Sequence, residues 1–225
     1  MTALVVTISA TFGAGGSVIG PAVAERLGLP FVDRAVPMTV ADEIGCSLEE
    51  ALVHDGRAEH GLARILAGAA RLPGVTLGGM DVHLPDRDLV PEEEFIARTE
   101  KVIRRTADGD GGVILGRAAA AVLADRPRTL HVRLDGPADR RLDRVLRDLA
   151  DEPDEPDEPG ERDEAERRRS VRRLMDDNDR ARAAYVKHFY RVDPASCRLY
   201  DLVIDATRLP SAAVVGLIAD AARAL

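Results

Sequence analysis

The sequence predicts an α/β domain built on a parallel sheet of about five strands, with helices on both faces. Three observations predict it. A β-branched run at the start, Leu4-Val5-Val6-Thr7-Ile8, passes through a glycine turn into a segment with helical spacing. Short apolar runs then alternate with amphipathic helical stretches along the rest of the chain, which calls for right-handed crossovers and a sheet covered on both sides. Finally, 45% of the 225 residues are hydrophobic while only 3% are aromatic, so the core is aliphatic and large enough for one such domain.

Taken in order, the first strand ends at Ile8, and Ser9-Ala10-Thr11-Phe12-Gly13-Ala14-Gly15-Gly16-Ser17 is too rich in Gly to continue it. Val18 to Leu27 carries apolar residues at helical spacing, and Gly28 stops the helix. Pro30-Phe31-Val32-Asp33 reads as a short second strand ending in a carboxylate. Gly112 to Gly116, Thr129 to Leu134 and Leu202 to Asp205 read as further strands. Helices are expected over roughly 36–44, 47–71, 92–107, 117–124, 137–149, 165–189 and 211–224. Residues 72–91, rich in Gly and Pro, are expected to form an irregular insertion in a single domain spanning 1–225. Residues 151–164 hold three successive Asp-Glu-Pro triplets, and like-charge repulsion with Pro at every third position favours an extended, solvated, flexible segment.

Charge and cysteine content narrow the function classes. The net charge is −8, but residues 151–166 carry ten acids and one Arg, and the remainder holds 29 acids against 30 basic residues. Bulk charge therefore gives no reason to expect nucleic acid as a partner. The absence of Trp and the few aromatics also argue against an RNA module built on stacking. Two cysteines, Cys46 and Cys197, form no Cys-x-x-Cys pair, which fits a reduced, cytoplasmic chain. No long apolar run calls for a membrane span, and the N-terminus lacks the basic leader of a secretory signal. The five His (54, 60, 83, 131, 188) have no metal-ligand spacing and are read as structural or solvated.

The glycine turn is the first candidate site. Gly residues between a strand and a helix let backbone N–H groups converge on an anion at the helix N-terminus, where the helix dipole adds to them. Residues Ala10 to Ser17 can be laid on the phosphate-loop pattern G-x-x-x-x-G-K-[ST]: Gly15 and Ser17 match, Ala10 stands for the first Gly and Gly16 for the Lys. The spacing after Gly13 does not follow G-x-G-x-x-G, which speaks against a dinucleotide oxidoreductase. The glycine turn, Asp33 and Gly116-Arg117 all fall at the carboxyl ends of expected strands, where open parallel sheets bind ligands.

Four stretches resemble the cytidylate kinase-like family, relatives of bacterial cytidylate kinase among the phosphate-loop nucleoside monophosphate kinases. These are Thr7-Ile8-Ser9 with Phe12 to Gly16, then Leu27 to Arg34, then Gly112 to Arg117, and finally Asp179 to Tyr185 with Tyr200 to Asp205. The resemblance implies a phosphate-loop NTPase-type three-layer sandwich with a helical lid. It also implies ATP- and Mg²⁺-dependent transfer of a phosphoryl group to a nucleoside monophosphate, a pyrimidine one. Such chemistry needs positioning and positive charge more than covalent participation. On this resemblance Gly13, Ala14, Gly15, Gly16 and Ser17 would bind the donor phosphates, with the Ser17 hydroxyl a Mg²⁺ ligand. Asp33, Arg34, Asp179 and Arg173 would meet the acceptor nucleotide, Arg117 would pair with its phosphate, and Arg182 would approach the transferring group. Arg172 and Arg180 are further lid candidates. Nucleotides are the expected partners, and a homodimer is compatible with the sequence.

Three departures stand out. Gly16 occupies the phosphate-loop Lys position, Ala10 the position where relatives often carry an Arg, and Ala118 the place of a carboxylate after the Gly-Arg pair. Loss of a transition-state cation costs about several kcal/mol of barrier, so turnover requires Arg34, Arg173 or Arg182 to substitute. Binding can survive without it, because backbone N–H groups supply much of the phosphate affinity. A non-catalytic nucleotide-binding or regulatory protein, or a kinase of the same fold for another small molecule, is therefore the alternative.

Overall fold

The computed structural model describes residues 2–32, 92–150 and 161–225. Its strands are β1 (Val5–Ala10), β2 (Phe31–Val32), β3 (Gly112–Leu115), β4 (Thr129–Asp135) and β5 (Leu202–Asp205). Its helices are α1 (Gly16–Leu27), α2 (Glu92–Asp108), α3 (Ala119–Val122), α4 (Ala138–Ala150), α5 (Glu161–Tyr190) and α6 (Ser211–Arg223). The five strands form one sheet in the order β2-β3-β1-β4-β5, and every pairing is parallel. The expected strands are all present, but β1 runs two residues past Ile8 to Ala10, and the helix expected over 117–124 is confined to Ala119–Val122 because Arg117 and Ala118 are left-handed. The expected helices over 36–44 and 47–71 and the insertion over 72–91 lie outside the described residues, as does 151–160. Glu161 to Glu164, expected to be extended, instead open α5.

The alternation of side chains along β1 divides the molecule into layers. Val6, Ile8 and Ala10 point to one face, where they are buried with Leu130, Val132 and Leu134 against Ile19 and Val23 of α1 and Val214 and Ile218 of α6. Val5 and Ile114 face the other way and pack with Ile103 and Ala107 of α2 and Ala119, Val122 and Leu123 on or beside α3. Helices thus cover both faces. A third cluster joins α4 to α5 through Leu142, Val171 and Met175, with Phe12 of the glycine turn packed against it. No described helix is long and apolar enough to cross a membrane.

The second face of β1 and β4 is polar in register. Thr7 pairs with His131 and Ser9 with Arg133, and just past the strand Thr11 meets Asp135. Thr7 Oγ1 and His131 Nδ1 are 2.8 Å apart, and both residues are buried. The His131 N–H donates to Asp201 (2.8 Å) and the Asp201 N–H donates back to the His131 carbonyl (2.8 Å), which fixes the approach to β5. Burial lowers the imidazole pKa below its ordinary value, outweighing the Asp201 carboxylate and the Leu123 carbonyl, which favour the cation. The unfolded chain therefore takes up the proton first as pH falls. His131 contributes its full stability above about pH 6.5 and loses it below, at up to about 1 kcal/mol per pH unit. Denaturant unfolding between pH 7.5 and 5.5 is expected to show this decline, and His131→Gln to flatten it. An unchanged slope in the variant would assign the decline to other groups.

Candidate active site

The glycine turn sits where β1 leaves the sheet. Gly13 (φ +77°) and Gly15 (φ +81°) are both left-handed, a conformation that glycine adopts without the Cβ penalty. Gly15 caps α1, no side chain bonds to the cap, and the first turn of α1 contains no acid. Among the described residues the N–H groups of Gly16 and Ser17 donate to nothing, which leaves a helix N-terminus with donors to offer an anion. Ala14 and Gly16 are buried, while Ser17 is exposed at the rim.

Gly16 is enclosed. A Cβ built there would lie 2.7 Å from the Cβ of Ala10 and 3.1 Å from Cδ1 of Leu115, so Ala10 and Leu115 fill the space from which a lysine would grow. Gly16→Lys is accordingly expected to disturb the loop rather than restore a missing cation. We expect a cost of about 1–3 kcal/mol, or roughly 2–10 °C in Tm, and no gain in turnover. Thermal unfolding together with an ADP-release assay checks this, and a fully active, equally stable variant would contradict it.

Side chains of α5 and of the segment before β5 come down on the start of the loop. Arg182 donates from Nη1 to the Ala10 carbonyl and from Nη2 to Ser9 Oγ (3.2 Å). Tyr200 shares Ser9 (3.2 Å) and donates to the Pro194 carbonyl (2.9 Å). Asp179, three residues before Arg182 and so on the same side of α5, accepts the Phe12 N–H (3.0 Å) and an Arg141 donor (2.8 Å). Arg141 also donates to the carbonyls of Phe12 (2.6 Å) and Gly136 (2.9 Å), and its side chain is only 9% exposed.

Beside these groups lies a cavity of about 270 Å³, lined by Thr11, Arg133, Asp135, Arg141, Asp179 and Arg182 among others. Arg133 and Asp135 form an ion pair on its wall (2.7 Å). Burial raises the Asp135 pKa, but the Gly136 N–H, the Arg133 guanidinium and the Thr11 hydroxyl together bring it below the usual carboxylate range. Asp135 is therefore a standing anion paired with Arg133, in a cavity that Arg141 and Arg182 also line. The cavity can accept an anionic group on its arginines and hydroxyl groups on its carboxylates.

The β3–α3 turn holds Gly116, Arg117 and Ala118 all at positive φ (81°, 55° and 53°). Two non-glycine residues in this region cost about 1–3 kcal/mol each, and Arg128 and Arg191 adopt the same conformation elsewhere in the chain. Gly116, Ala118, Ser9, Tyr200 and Arg182 line one small cavity of about 20 Å³, so this turn and Arg182 share a wall. Half-buried Arg117 lies near enough to buried Tyr185 and half-buried Tyr190 for its charge to act on both hydroxyls.

The structure therefore brings Gly13 to Ser17, Asp179, Arg182 and the Gly116-Arg117 turn to one end of the sheet. Arg173 is exposed on α5, Arg172 pairs with Asp139 (2.5 Å) and Arg180 with Asp177 (2.6 Å). Asp33 and Arg34 lie outside the described residues. Arg141 and Arg144 also stand at the loop, although no sequence motif singles them out. Arg141 stands on the apolar stripe of α4 with Val145 and Leu149 at i+4 and i+8, and a guanidinium on a buried stripe requires partners. Arg144 lies flat against the loop: a Cβ on Gly15 would meet its Cζ, Nη1 and Nη2 at 2.8 Å each, and it donates to the Ala206 carbonyl (3.2 Å) and Ser211 Oγ (3.1 Å).

A model of the cytidylate kinase-like family matches residues 5–208. No curated protein matches the sequence. Among solved structures, an uncharacterized protein from Eubacterium ventriosum aligns over 99% of both chains at 16% identity with a TM-score of 0.61. A shikimate kinase from Acinetobacter baumannii, in complex with shikimate, aligns over 98% of this chain and 95% of its own at 16% identity, with a TM-score of 0.45. A sugar kinase from a Janibacter species aligns over 98% of both chains at 18% identity, also with a TM-score of 0.45. With its five-stranded parallel sheet and its glycine loop at the mouth of α1, the chain belongs to the cytidylate kinase-like family.

Proposed function

We propose that the protein transfers a phosphoryl group from ATP to a nucleoside monophosphate, a pyrimidine one. The observation that carries the reading is the meeting of Arg182 with the β1–loop junction, across from an uncapped helix N-terminus. Phosphoryl transfer asks for this pairing, with fixed N–H donors on the donor phosphates and a mobile cation over the group in flight. The N–H groups of Gly13 to Ser17 would hold the donor, and Arg117 would pair bidentately with the acceptor's phosphate. Arg182 would release the Ala10 carbonyl and turn its guanidinium onto the transferring group. Asp33, Arg34 and Arg173 are carried as acceptor contacts from the family resemblance.

The exposed Ser17 hydroxyl, at the second position of α1, fits a Mg²⁺ ligand beside the donor phosphates. The bound ion would neutralise charge on the phosphates.

ADP release with CMP, dCMP, UMP and AMP as acceptors tests the proposal. A pyrimidine monophosphate is expected to give the highest rate, and no ADP with any of the four would defeat it. The enclosed Gly16 favours a second reading, a nucleotide-binding protein without turnover. Thermal stabilisation by ATP or CMP together with no ADP release would select that reading.

A further inference from the structure

Both carboxylate oxygens of Asp179 are engaged by the donor side of the site. Oδ1 accepts the Phe12 N–H at 3.0 Å and Oδ2 accepts Arg141 Nη1 at 2.8 Å. Arg141 closes the ring by donating to the Phe12 carbonyl at 2.6 Å, so the two polar groups of Phe12 are held by one ion pair spanning α4 and α5. The Phe12 side chain is packed into the cluster those two helices build, against Leu142, Val171 and Met175. One residue on, Gly13 backs onto α4 so closely that a Cβ would meet the Arg141 carbonyl and Val145 Cγ2 at 2.9 Å. The first turn of the loop is thus set by the α4–α5 pair, and the donors that follow, Gly13 to Ser17, inherit their direction from it.

We infer that Asp179 is a positioning residue of the donor loop, acting through Phe12 and Arg141, and not a contact of the acceptor nucleotide. The inference rests on the proposed donor role of Gly13 to Ser17. The Phe12 N–H precedes that donor set, so the carboxylate braces the loop without occupying an amide the phosphates need. Small displacements of such donors are costly, because their value lies in being fixed in advance of the charge they receive.

The test compares Asp179→Ala, Asp179→Ser and Asp179→Asn in the full chain. Calorimetric titration measures ATP and CMP binding, and hydrogen exchange measures protection of the Phe12 amide. Ala and Ser, which cannot span the gap, are expected to raise the ATP Kd about tenfold or more, about the worth of one charge-assisted hydrogen bond. Asn keeps an acceptor oxygen for Phe12 and is expected to stay within about threefold of wild type, while CMP affinity moves less than about twofold in all three variants. The Phe12 amide loses protection in Ala and Ser and keeps it in Asn. Weakened CMP binding with unchanged ATP binding would overturn the inference, as would unchanged Phe12 protection in Asp179→Ala or Asp179→Ser. If wild-type protein binds no ATP, the donor-site reading fails, and Phe12 exchange still decides whether Asp179 braces the loop.

Discussion

Arg182→Ala is expected to reduce phosphoryl transfer about 10²- to 10³-fold while leaving the fold intact, the usual loss when one stabilising donor is taken from a developing charge. Among the described residues, Arg141 and Arg144 beside the loop are already committed to the carbonyls of Phe12, Gly136 and Ala206. The lysine position is Gly16, which is walled in by Ala10 and Leu115, and Arg173 is exposed on the outside of α5. Arg182 already reaches the loop at Ala10, and its contacts there are a carbonyl and a hydroxyl, partners weak enough to be exchanged for a phosphoryl oxygen. Steady-state kinetics should place the loss in kcat, with the ATP KM changed far less, because the interaction forms as charge moves. Arg182→Lys should recover part of the rate, since the charge is kept and the planar fork is lost. A kcat within threefold of wild type in Arg182→Ala would remove Arg182 from the mechanism.

Arg141→Met carries the second large effect, this one on stability. Methionine preserves most of the apolar stem beside Val145 and Leu146, so the change isolates the guanidinium. Its removal strands the Phe12 and Gly136 carbonyls and leaves Asp179, whose side chain is 24% exposed, without its cation. Breaking a buried pair on one side costs more than the pair is worth, because the remaining charge and acceptors stay desolvated. About 2–4 kcal/mol is expected, or roughly 5–15 °C in Tm, measurable by thermal or urea unfolding. The double variant Arg141→Met/Asp179→Leu should recover part of that loss, since it leaves no buried charge unpaired. A single variant as stable as wild type would show that the loop is held by packing of Phe12 alone.

These two residues also mark how far the sequence could be read. Strand-glycine-helix punctuation located β1, the loop and α1, and the bounds of β5 were legible to the residue, because β-branched runs flanked by turn residues leave little choice of element. The three-residue spacing of Asp179 and Arg182 on a charged helix made legible that they share one face of α5, while a role for Arg182 came only from the family resemblance. Arg141 was not legible, although it stands on the apolar stripe of α4, because a charged residue there reads as solvated until its partners from distant segments are known. Phe12 and Asp179 are 167 residues apart, and no local pattern announces a bond over that span. The polar register of Thr7 with His131 and Ser9 with Arg133 was hidden for the same reason. Each strand shows only its own alternation, and the pairing of β1 with β4 rather than with its sequence neighbour is a property of the sheet. The enclosure of Gly16 likewise depends on Leu115, from a strand nearly a hundred residues away.

A crystal structure with ADP, aluminium fluoride, Mg²⁺ and CMP bears most directly on the account. The nucleotide's β-phosphate oxygens are expected within hydrogen-bonding distance of the N–H groups between Gly13 and Ser17, with the Arg182 guanidinium moved from the Ala10 carbonyl onto the fluoride group. Nucleotide bound away from the mouth of α1, or Arg182 still on Ala10 with the fluoride complex in place, would contradict it.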